Sequence, residues 1–352
     1  MSELPEIGKI SPEIFNELIF PRLGAKSRSV IVGPQHGVDV GIVEIGDKAV
    51  ALTTDPVFIV PEYGWERAAW FAIHILASDA VTSGLKPKYL SIDLNLPMEM
   101  TKEQLEIVWD TMHKECKKLG IAVVCGHTAR YENCHYPMVG GATVICVGEK
   151  DEYVTPKMAR SGDKIIITKG PAIEATGIFA AMFPKVIERE FGAEFSKRAQ
   201  EVFYKMSVVE DALTAVSVGV RDSGITSMHD ATECGIWGGL YEIAQAANLG
   251  VRVEKERIVV EKCVPEICKY FGIDPYASIS EGTLIMSCRE HKAEEVVKAL
   301  SRKGIASSIV GELVSPGHGM ILVERGKEKK LKHPVVDPFW QAFYNALKNT
   351  PS

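Results

Sequence analysis

The chain has 352 residues, with 40 lysines and arginines against 46 aspartates and glutamates, which gives a formal net charge of −6. This length predicts two domains, and contents of 46% hydrophobic and 24% charged residues are typical of a globular protein. The weak acidity disfavours a nucleic-acid binder, because even the richest basic run, at 325–334, is too sparse to coat a phosphate backbone. That run is predicted to be a solvated loop.

The sequence also bears on the cell compartment. The N-terminal residues carry acids where a secretory signal needs cations and an apolar run, and no stretch is long enough to cross a bilayer. The eight cysteines form no CxxC pair and lie mostly in apolar runs. This usage predicts reduced, buried thiols in a cytoplasmic protein with no membrane partner and no nucleic-acid partner.

The first half of the chain alternates strand and helix patterns. An amphipathic helix is predicted over 4–22, and residues 29–60 contain three short β-rich runs separated by glycine turns. Helices are predicted over 64–84 and 101–120, each closed by a glycine. Further strands are predicted at 88–97, 121–129 and 138–150.

A polar stretch with Pro and Gly at 151–163 marks the predicted domain boundary, and the alternation then resumes. Strands are predicted at 164–168, 225–229, 251–256, 282–288 and 306–313. Helices are predicted at 172–183, about 195–218, 235–248, 263–270 and 291–303, with a capping helix at 337–349. This order indicates α/β layers in both halves.

Several acids and small polar residues stand at the ends of apolar elements. They are Asp39, Asp55, Asp79, His127, Thr128, Asp230 and Thr232. The chain has neither a P-loop motif nor GxGxxG, so a nucleotide site must be built another way. Mg²⁺ takes oxygen ligands and bridges carboxylates to phosphates, and acids gathered from separate segments repel each other without a cation. The spacing alone predicts no more than a metal–phosphate site.

Each of these residues also has a structural interpretation. An acid at a turn, such as Asp55 at the far end of an apolar run, usually caps the turn. Asp79 favours a functional role, because it lies among apolar residues where an unpaired charge is costly. His74 and His113 lie on predicted helices and are interpreted as structural, whereas His127 stays open between the two roles.

The order of the motifs resembles the superfamily of aminoimidazole ribonucleotide synthetase, selenophosphate synthetase, thiamine-monophosphate kinase and the hydrogenase-maturation protein HypE. The matching pieces are Asp39, LTTD ending at Asp55, SDAVTSGLKP containing Asp79, CGHT ending at Thr128 and HDATECG containing Asp230. The resemblance spans about 25–325 and is closest to HypE in the second half, where SEGTLIM and GIASSIVGEL occur in the same order.

The resemblance implies a two-domain, PurM-like α/β (α+β) fold. The N-terminal domain would pair its sheet with that of a second copy in a homodimeric β-barrel, and the C-terminal domain would be an α/β sandwich. The predicted ranges are 1–28 for an N-terminal helical segment, 29–155 and 160–325 for the two domains, and 326–352 for a tail with a helix.

The resemblance also implies ATP and Mg²⁺ near the interdomain cleft, with phosphoryl transfer to an oxygen of a small-molecule acceptor. The implied metal ligands are Asp39, Asp55, Asp79 and Asp230, of which Asp79 and Asp230 are the candidate catalytic residues. The implied nucleotide-binding residues are Asp39, Asp55, Gly126, His127, Thr128 and Thr232.

The chain departs from the family pattern in ways that bear on activity. Val38 and His127 stand where the family has acids, and Glu174 stands where HypE tends to have glycine or histidine. These changes imply fewer metal ions, a different phosphate pose or weaker ATP binding. HypE ends in a tail cysteine that accepts a carbamoyl group, whereas the last cysteine here is Cys288, in a predicted strand. A different acceptor is therefore expected.

Two alternatives remain open. One is activity like that of thiamine-monophosphate kinase or aminoimidazole ribonucleotide synthetase. The other is a non-catalytic, HypE-like nucleotide-binding scaffold or a partner of a maturation protein. ATP turnover with a small molecule distinguishes an enzyme from a scaffold.

Overall fold

A computed structural model describes residues 10–35 and 37–349. The first half is a six-stranded sheet in the order β1-β2-β3-β6-β4-β5, against which two long helices pack. All its strand pairs are antiparallel except β4–β5. Its elements are α1 Pro12–Ile14, β1 Val30–Val32, β2 Gly41–Ile45, β3 Lys48–Phe58, α2 Trp65–Val81, β4 Pro87–Leu96, α3 Lys102–Leu119, β5 Ala122–Arg130 and β6 Met138–Glu149.

The second half is a seven-stranded sheet in the order β13-β12-β9-β11-β7-β10-β8, in which only β12–β9 is parallel. Its strands are β7 Lys164–Thr168, β8 Ile225–Asp230, β9 Gly250–Glu254, β10 Leu284–Cys288, β11 Ser307–Val314, β12 Met320–Glu324 and β13 Lys327–Lys330. Its helices are α4 Ile173–Met182, α5 Pro184–Phe191, α6 Ala193–Glu201, α7 Val209–Val216, α8 Gly235–Ala246, α9 Val264–Phe271, α10 Glu290–Arg302 and α11 Pro338–Asn349. The predicted mixture of strands and helices in both halves is confirmed.

Residue patterns explain the elements that carry the site. In β3, the buried residues Ala51, Thr53 and Val57 alternate with more exposed ones, so the strand turns one face toward the helix layer. Helix α2 is apolar around most of its circumference, which is the pattern of a helix enclosed on all sides. Helix α3 is amphipathic instead, and it begins at a capping box in which Thr101 and Gln104 bond to each other's backbone N–H.

One continuous apolar core joins the two halves. Tyr63 and Phe71, at the start of the first half's helix layer, contact Phe203 of the second half, with ring centroids 5.4 and 5.7 Å apart. A second cluster lies between the other sheet and α8, around Ile236 and Leu240. Helix α2 is therefore fixed against second-half residues, which matters for the acid that it carries.

Three sequence expectations need correction. The predicted continuous helix at 195–218 is wrong, because α6 ends at Glu201 and α7 starts only at Val209. Between them the Val208 N–H donates to the Ser78 hydroxyl at 3.1 Å. The basic run at 325–334 is not all loop, since it includes the fully exposed strand β13. Of the predicted helix at 4–22, residues 12–22 form helical turns, residues 10–11 do not, and residues 1–9 lie outside the described part.

Two further expectations concern thiols and membranes. All eight cysteines are free and six are buried, while Cys125 is exposed and Cys134 partly so. Over the described ranges, none of the helices combines the length and the apolar character that crossing a membrane requires. The proposed domain ranges stay predictions.

Candidate functional site

The four predicted aspartates arrive from four separate segments. Asp39 precedes β2, Asp55 lies within β3, Asp79 is in the last turn of α2, and Asp230 ends β8. The expectation that Asp55 ends its strand is wrong, because β3 continues to Phe58. Asp55 shares the face of β3 that holds Thr53, and this face is directed at the helix that carries Asp79.

These aspartates lie close enough to perturb one another. Burial raises the pKa of Asp79 well above its ordinary value, and the carboxylates of Asp230, Asp55 and Asp39 raise it further. The Thr53 hydroxyl donates to Asp79 Oδ2 at 3.3 Å. Like charges gathered in a buried place favour the protonated form, so the site has a deficit of positive charge. The acids of both halves therefore lie close together in the structure.

Two glutamates extend this cluster, which we call the acid cluster: Asp39, Asp55, Asp79, Asp230, Glu174 and Glu281. Glu281 is 1% exposed, and burial, Asp230 and Glu174 raise its pKa well above the ordinary value. Its backbone N–H donates to Glu174 Oε2 at 3.0 Å. Burial raises the pKa of Glu174, in the first turn of α4, to about 8. Sequence reasoning assigned no role to Glu281, although it lies in SEGTLIM, one of the segments on which the resemblance rests.

His229 is the second residue that the sequence argument missed. Its Nδ1 lies 2.8 Å from Asp39 Oδ2 and its Nε2 lies 2.8 Å from Glu242 Oε2. Burial lowers the pKa of His229, but Asp39 and Glu242 outweigh burial and the net pKa is well above the ordinary value. The ring is therefore an imidazolium that donates from both nitrogens and ties Asp39 to α8 of the second half.

The structure places Asp39, His229 and Asp230 together, with one potential ligand atom of each within 4.8 Å of the others. A metal ligand needs a free nitrogen lone pair, which an imidazolium lacks. In this hydrogen-bonded state His229 acts as a counter-ion, and the carboxylates of Asp39 and Asp230 are the atoms suited to a hard cation.

The loop after Asp230 is held by its backbone. The Thr232 carbonyl accepts N–H groups of Gly235 at 3.1 Å and Ser280 at 3.2 Å. Cys234 has φ +63° and Gly235 has φ +57°, and a Cβ at Gly235 would lie 2.4 Å from the Ser278 carbonyl. Only glycine fits at that position. The half-buried Thr232 is thus carried on a rigid turn between β8 and α8.

The structure does not bring Gly126, His127 and Thr128 to the acid cluster of the same chain. Across the sheet, Asp55 pairs with Ala142, Ala142 with Ile92, and Ile92 with Gly126. Three strand spacings therefore separate Asp55 from Gly126, about 14 Å. These residues lie on β5, an exposed edge strand, where His127 Nε2 is 2.9 Å from the Tyr131 hydroxyl.

Comparison with protein families finds two adjoining matches. Residues 37–150 match the model of the AIR synthase related protein, N-terminal domain, and residues 160–324 match that of its C-terminal domain. Together they cover both sheets, apart from short strands at the edges, and all six members of the acid cluster.

Curated relatives are similar over nearly the whole chain. A Methanocaldococcus jannaschii protein assigned provisionally to hydrogenase expression and formation is 23% identical over 94% of this chain and 96% of its own length. The carbamoyl dehydratase HypE of Escherichia coli is 24% identical over 84% and 85%. The selenide, water dikinase of Carboxydothermus hydrogenoformans is 25% identical over 90% and 95%.

Solved structures share the fold. The hydrogenase maturation protein HypE in complex with ATP superposes with a TM-score of 0.65 at 21% identity, covering 94% of this chain and 97% of that one. AaThiL complexed with AMPPCP and TMP gives 0.66 at 20% identity, over 86% and 89%. A chain of the HypE–HypF complex gives 0.66 at 20% identity, over 83% and 93%. The two-domain PurM-like fold is thereby confirmed.

Proposed function

Because the chain belongs to the AIR synthase related protein family, we propose that it is a Mg²⁺- and ATP-dependent phosphoryl-transfer enzyme acting on an oxygen of a small molecule. The observation that carries this proposal is the convergence of Asp39, Asp55, Asp79 and Asp230 from both halves. Relatives that include a dikinase, and neighbours solved with ATP or AMPPCP, support nucleotide chemistry.

The donor set fits a hard divalent cation. Carboxylate oxygens are the preferred ligands of Mg²⁺, and the raised pKa of Asp79 reports buried carboxylates that face too little positive charge. Asp39, Asp55, Asp79 and Asp230 would hold the ion. When bound, Mg²⁺ neutralises phosphate charge and orients the transferred group.

The chain's own residues supply position. Thr53 fixes Asp79, and His229 fixes Asp39 between β8 and α8. Asp230 ends β8 opposite Leu284 of β10, and the next residue's N–H donates to the Thr283 carbonyl at 2.9 Å. In phosphoryl transfer most catalysis comes from such positioning and charge stabilisation, so rigid acids suit the proposed reaction. In this proposal Asp79 and Asp230 are the catalytic residues.

The departures from the family pattern set limits on the metal content. Val38 supplies no carboxylate beside Asp39, and the cation nearest to Asp39 is the His229 imidazolium. We therefore propose fewer divalent ions here than in a site that has an acid at position 38 as well as Asp39.

We also infer a homodimer formed along β5. Eight of the nine residues of this edge strand are exposed, including Val123 at 44% and Val124 at 54%. An exposed, apolar edge strand is a template for pairing with another chain. A second copy would cover this strand. It would supply further nucleotide ligands next to Gly126, His127 and Thr128 of the first copy.

Other assignments differ in what they predict for turnover. Thiamine-monophosphate kinase activity, suggested by the likeness to AaThiL complexed with AMPPCP and TMP, predicts that the protein phosphorylates thiamine monophosphate. A scaffold or a partner of a maturation protein, suggested by the HypE–HypF complex, predicts nucleotide binding without turnover. Both the kinase and the scaffold would bind nucleotide at the acid cluster. Nucleotide binding and substrate turnover are therefore measured in separate experiments.

The proposal is tested by calorimetric titration of Mg²⁺-ATP into the wild type, Asp79→Asn and Asp230→Asn. We expect binding at least about tenfold weaker in both variants, a loss of about 1.4 kcal/mol or more. Asp47→Asn, at a turn residue whose side chain is 83% exposed, is the matched control and should bind like the wild type. Equal affinity of all four proteins would remove the acid cluster from the nucleotide site.

Turnover is measured as ADP release against a panel of small phosphate acceptors. An enzyme releases ADP with at least one acceptor, and Asp79→Asn should suppress that release. Tight Mg²⁺-ATP binding without ADP release across the panel, including thiamine monophosphate, would favour the scaffold instead.

A further inference from the structure

A second cluster of reactive side chains lies outside the acid cluster, in a cleft of about 760 Å³ between the two halves. His74 Nδ1 lies 2.8 Å from the Ser207 hydroxyl and His74 Nε2 lies 3.0 Å from Glu115 Oε2. Ser207 and His74 both line the cleft. A hydroxyl, an imidazole and a carboxylate in this order form a nucleophile, a base and an orienting acid.

The imidazole is held in place on three sides. Trp70 stacks on its face with centroids 4.1 Å apart and planes inclined by 22°. Glu115 engages one nitrogen and Ser207 the other, and the His74 side chain is only 6% exposed. Such fixation removes the orientational freedom that a base would otherwise have to lose during reaction. Sequence analysis interpreted His74 as structural because it lies on a predicted helix. Its partners come from α3 and from the segment before α7, which the local sequence does not reveal.

The protonation of His74 agrees with the role of a base. Burial lowers its pKa, Glu115 raises it, and the charges of Lys118 on α3 and Lys169 after β7 lower it again, with a net decrease. The ring is therefore neutral near pH 7 and can accept a proton.

Positive charge and backbone donors lie beside the nucleophile. Lys169 Nζ donates to the Ser207 carbonyl at 2.6 Å and to Asp211 Oδ2 at 2.9 Å. Lys169 has φ +58°, a strained conformation of the kind that concentrates at functional sites. Helix α7 begins at Val209, two residues after Ser207, and the first N–H groups of a helix have no intrahelical acceptor. In the proposed reaction, the Lys169 charge and the N-terminal end of α7 would favour a developing oxyanion at Ser207.

The cleft and the acid cluster lie on opposite sides of residues 205–208. On one side the Val208 N–H bonds to Ser78, whose side chain also interacts with Glu281 of the cluster. On the other side Ser207 lines the cleft. The Ser207, His74 and Glu115 side chains are distinct from those of the acid cluster, so each set can be tested by its own substitutions.

We propose that Ser207, His74 and Glu115 form a second active site that hydrolyses a small carboxylic ester. The Ser207 oxygen bonds to the ester carbonyl carbon while its proton passes to His74 Nδ1. The bond from that carbon to the alcohol oxygen breaks, and the alcohol leaves with the proton. Water then bonds to the acyl carbon and gives a proton to His74. Ser207 recovers its proton as the carboxylic acid departs, so ester and water yield alcohol and acid.

The experiment uses a fluorophosphonate, which marks activated serines covalently, and p-nitrophenyl acetate as a chromogenic ester. The wild type should gain one adduct, mapped to Ser207 by peptide mass spectrometry, and should release p-nitrophenol. Ser207→Ala should abolish both signals, and His74→Gln should slow both by about 100-fold or more. Ser217→Ala, at an exposed serine after the end of α7, is the matched control and should behave as the wild type.

Glu115 acts through His74 and is a positioning residue, so its test is a pH profile. Because Glu115 raises the pKa of His74, Glu115→Gln should move the acid limb of the rate profile to lower pH. Absence of an adduct at Ser207 in the folded wild type would overturn the proposal without any variant. Unchanged hydrolysis by Ser207→Ala would do the same, whether or not ATP binds.

Discussion

Two buried acidic places in this molecule differ in what surrounds them. Asp163, 3% exposed, lies 2.6 and 2.9 Å through its two oxygens from one Arg289 nitrogen, and it accepts the Thr226 hydroxyl at 2.9 Å and the Arg160 N–H at 2.8 Å. Asp79 receives one long hydroxyl bond and otherwise faces carboxylates. We therefore interpret Asp163, which is surrounded by hydrogen-bond donors, as structural. Asp79 is surrounded by carboxylates, and we interpret it as part of a site that a bound cation would neutralise.

The contrast also separates the members of the acid cluster from their near neighbour Asp337. Asp337 accepts the backbone N–H groups of Cys234 and Phe339, at 2.7 and 2.8 Å, and so joins the start of α8 to α11. It lies close enough to raise the pKa of Glu174, but its own lone pairs have donors. We assign it to structure for that reason.

The largest expected effect comes from replacing Asp163, the acid whose hydrogen bonds are satisfied. Asp163→Ala removes the buried carboxylate of the Arg289 guanidinium, whose side chain is only 11% exposed, and leaves it the exposed Asp222 at 3.4 Å. The free energy of unfolding in urea should fall by about 3–5 kcal/mol. Asp47→Ala, at an exposed turn, should change it by less than about 0.5 kcal/mol. A loss of similar size in both variants would show that Asp163 has no special structural weight.

The next effect is a pH dependence that the crowded acids impose. The pKa of Glu174 is about 8 in the folded protein, so the native state keeps a proton that the unfolded state releases above about pH 4.5. The contribution of Glu174 to stability is therefore fully present below that pH and decreases as pH rises toward 8, by at most about 1.4 kcal/mol per unit.

Glu174→Gln removes that proton equilibrium while keeping an oxygen for the Glu281 N–H. At pH 8 the variant should exceed the wild type in unfolding free energy by about 2–4 kcal/mol, and the difference should shrink toward pH 5. Glu194→Gln, at a side chain that is 79% exposed, is the control. A variant less stable than the wild type at pH 8 would contradict the assignment of Glu174 to an overcrowded cluster.

A smaller effect is expected from Mg²⁺ alone. At a concentration tenfold above its dissociation constant, an ion bound only by the native state adds about 1.4 kcal/mol to the unfolding free energy. The wild type should show this increase in thermal or urea unfolding, and EDTA should reverse it. Asp79→Asn should show little of it. Identical Mg²⁺ responses in the two proteins would mean that the ion binds elsewhere.

The smallest effect concerns Asp337. Replacing it with Ala removes an acceptor from two helix-start N–H groups, a loss of about 1 kcal/mol in unfolding free energy. Mg²⁺-ATP affinity should stay within about twofold of the wild type. A large loss of affinity with little loss of stability would move Asp337 into the binding site and weaken the contrast with Asp79.

Much of the fold could be predicted from local pattern. The alternation around Asp55 and the apolar surroundings of Asp79 identified a strand and a helix that each present an acid, and both were found. The break at 206–208 could not be predicted, because no Gly or Pro marks it. At this break the Val208 N–H bonds to Ser78, which is 130 positions away in the sequence.

The site shows the same limit. Asp39 and Asp230 could be named as acids at element ends, but nothing local reveals that His229 bridges Asp39 to Glu242. Glu281 was visible as an acid shortly before the apolar strand β10, yet its contact with Glu174 depends on how the loop before β10 meets α4. The sequence identifies which residues are acidic, but the fold determines which residues contact each other.

The most direct measurement is anomalous diffraction at the manganese edge from a crystal soaked with Mn²⁺ and a non-hydrolysable ATP analogue. We expect a manganese peak bordered by Asp39, Asp55, Asp79 and Asp230, with the triphosphate on its open side. A peak elsewhere, or an analogue bound away from these four carboxylates, would contradict the account.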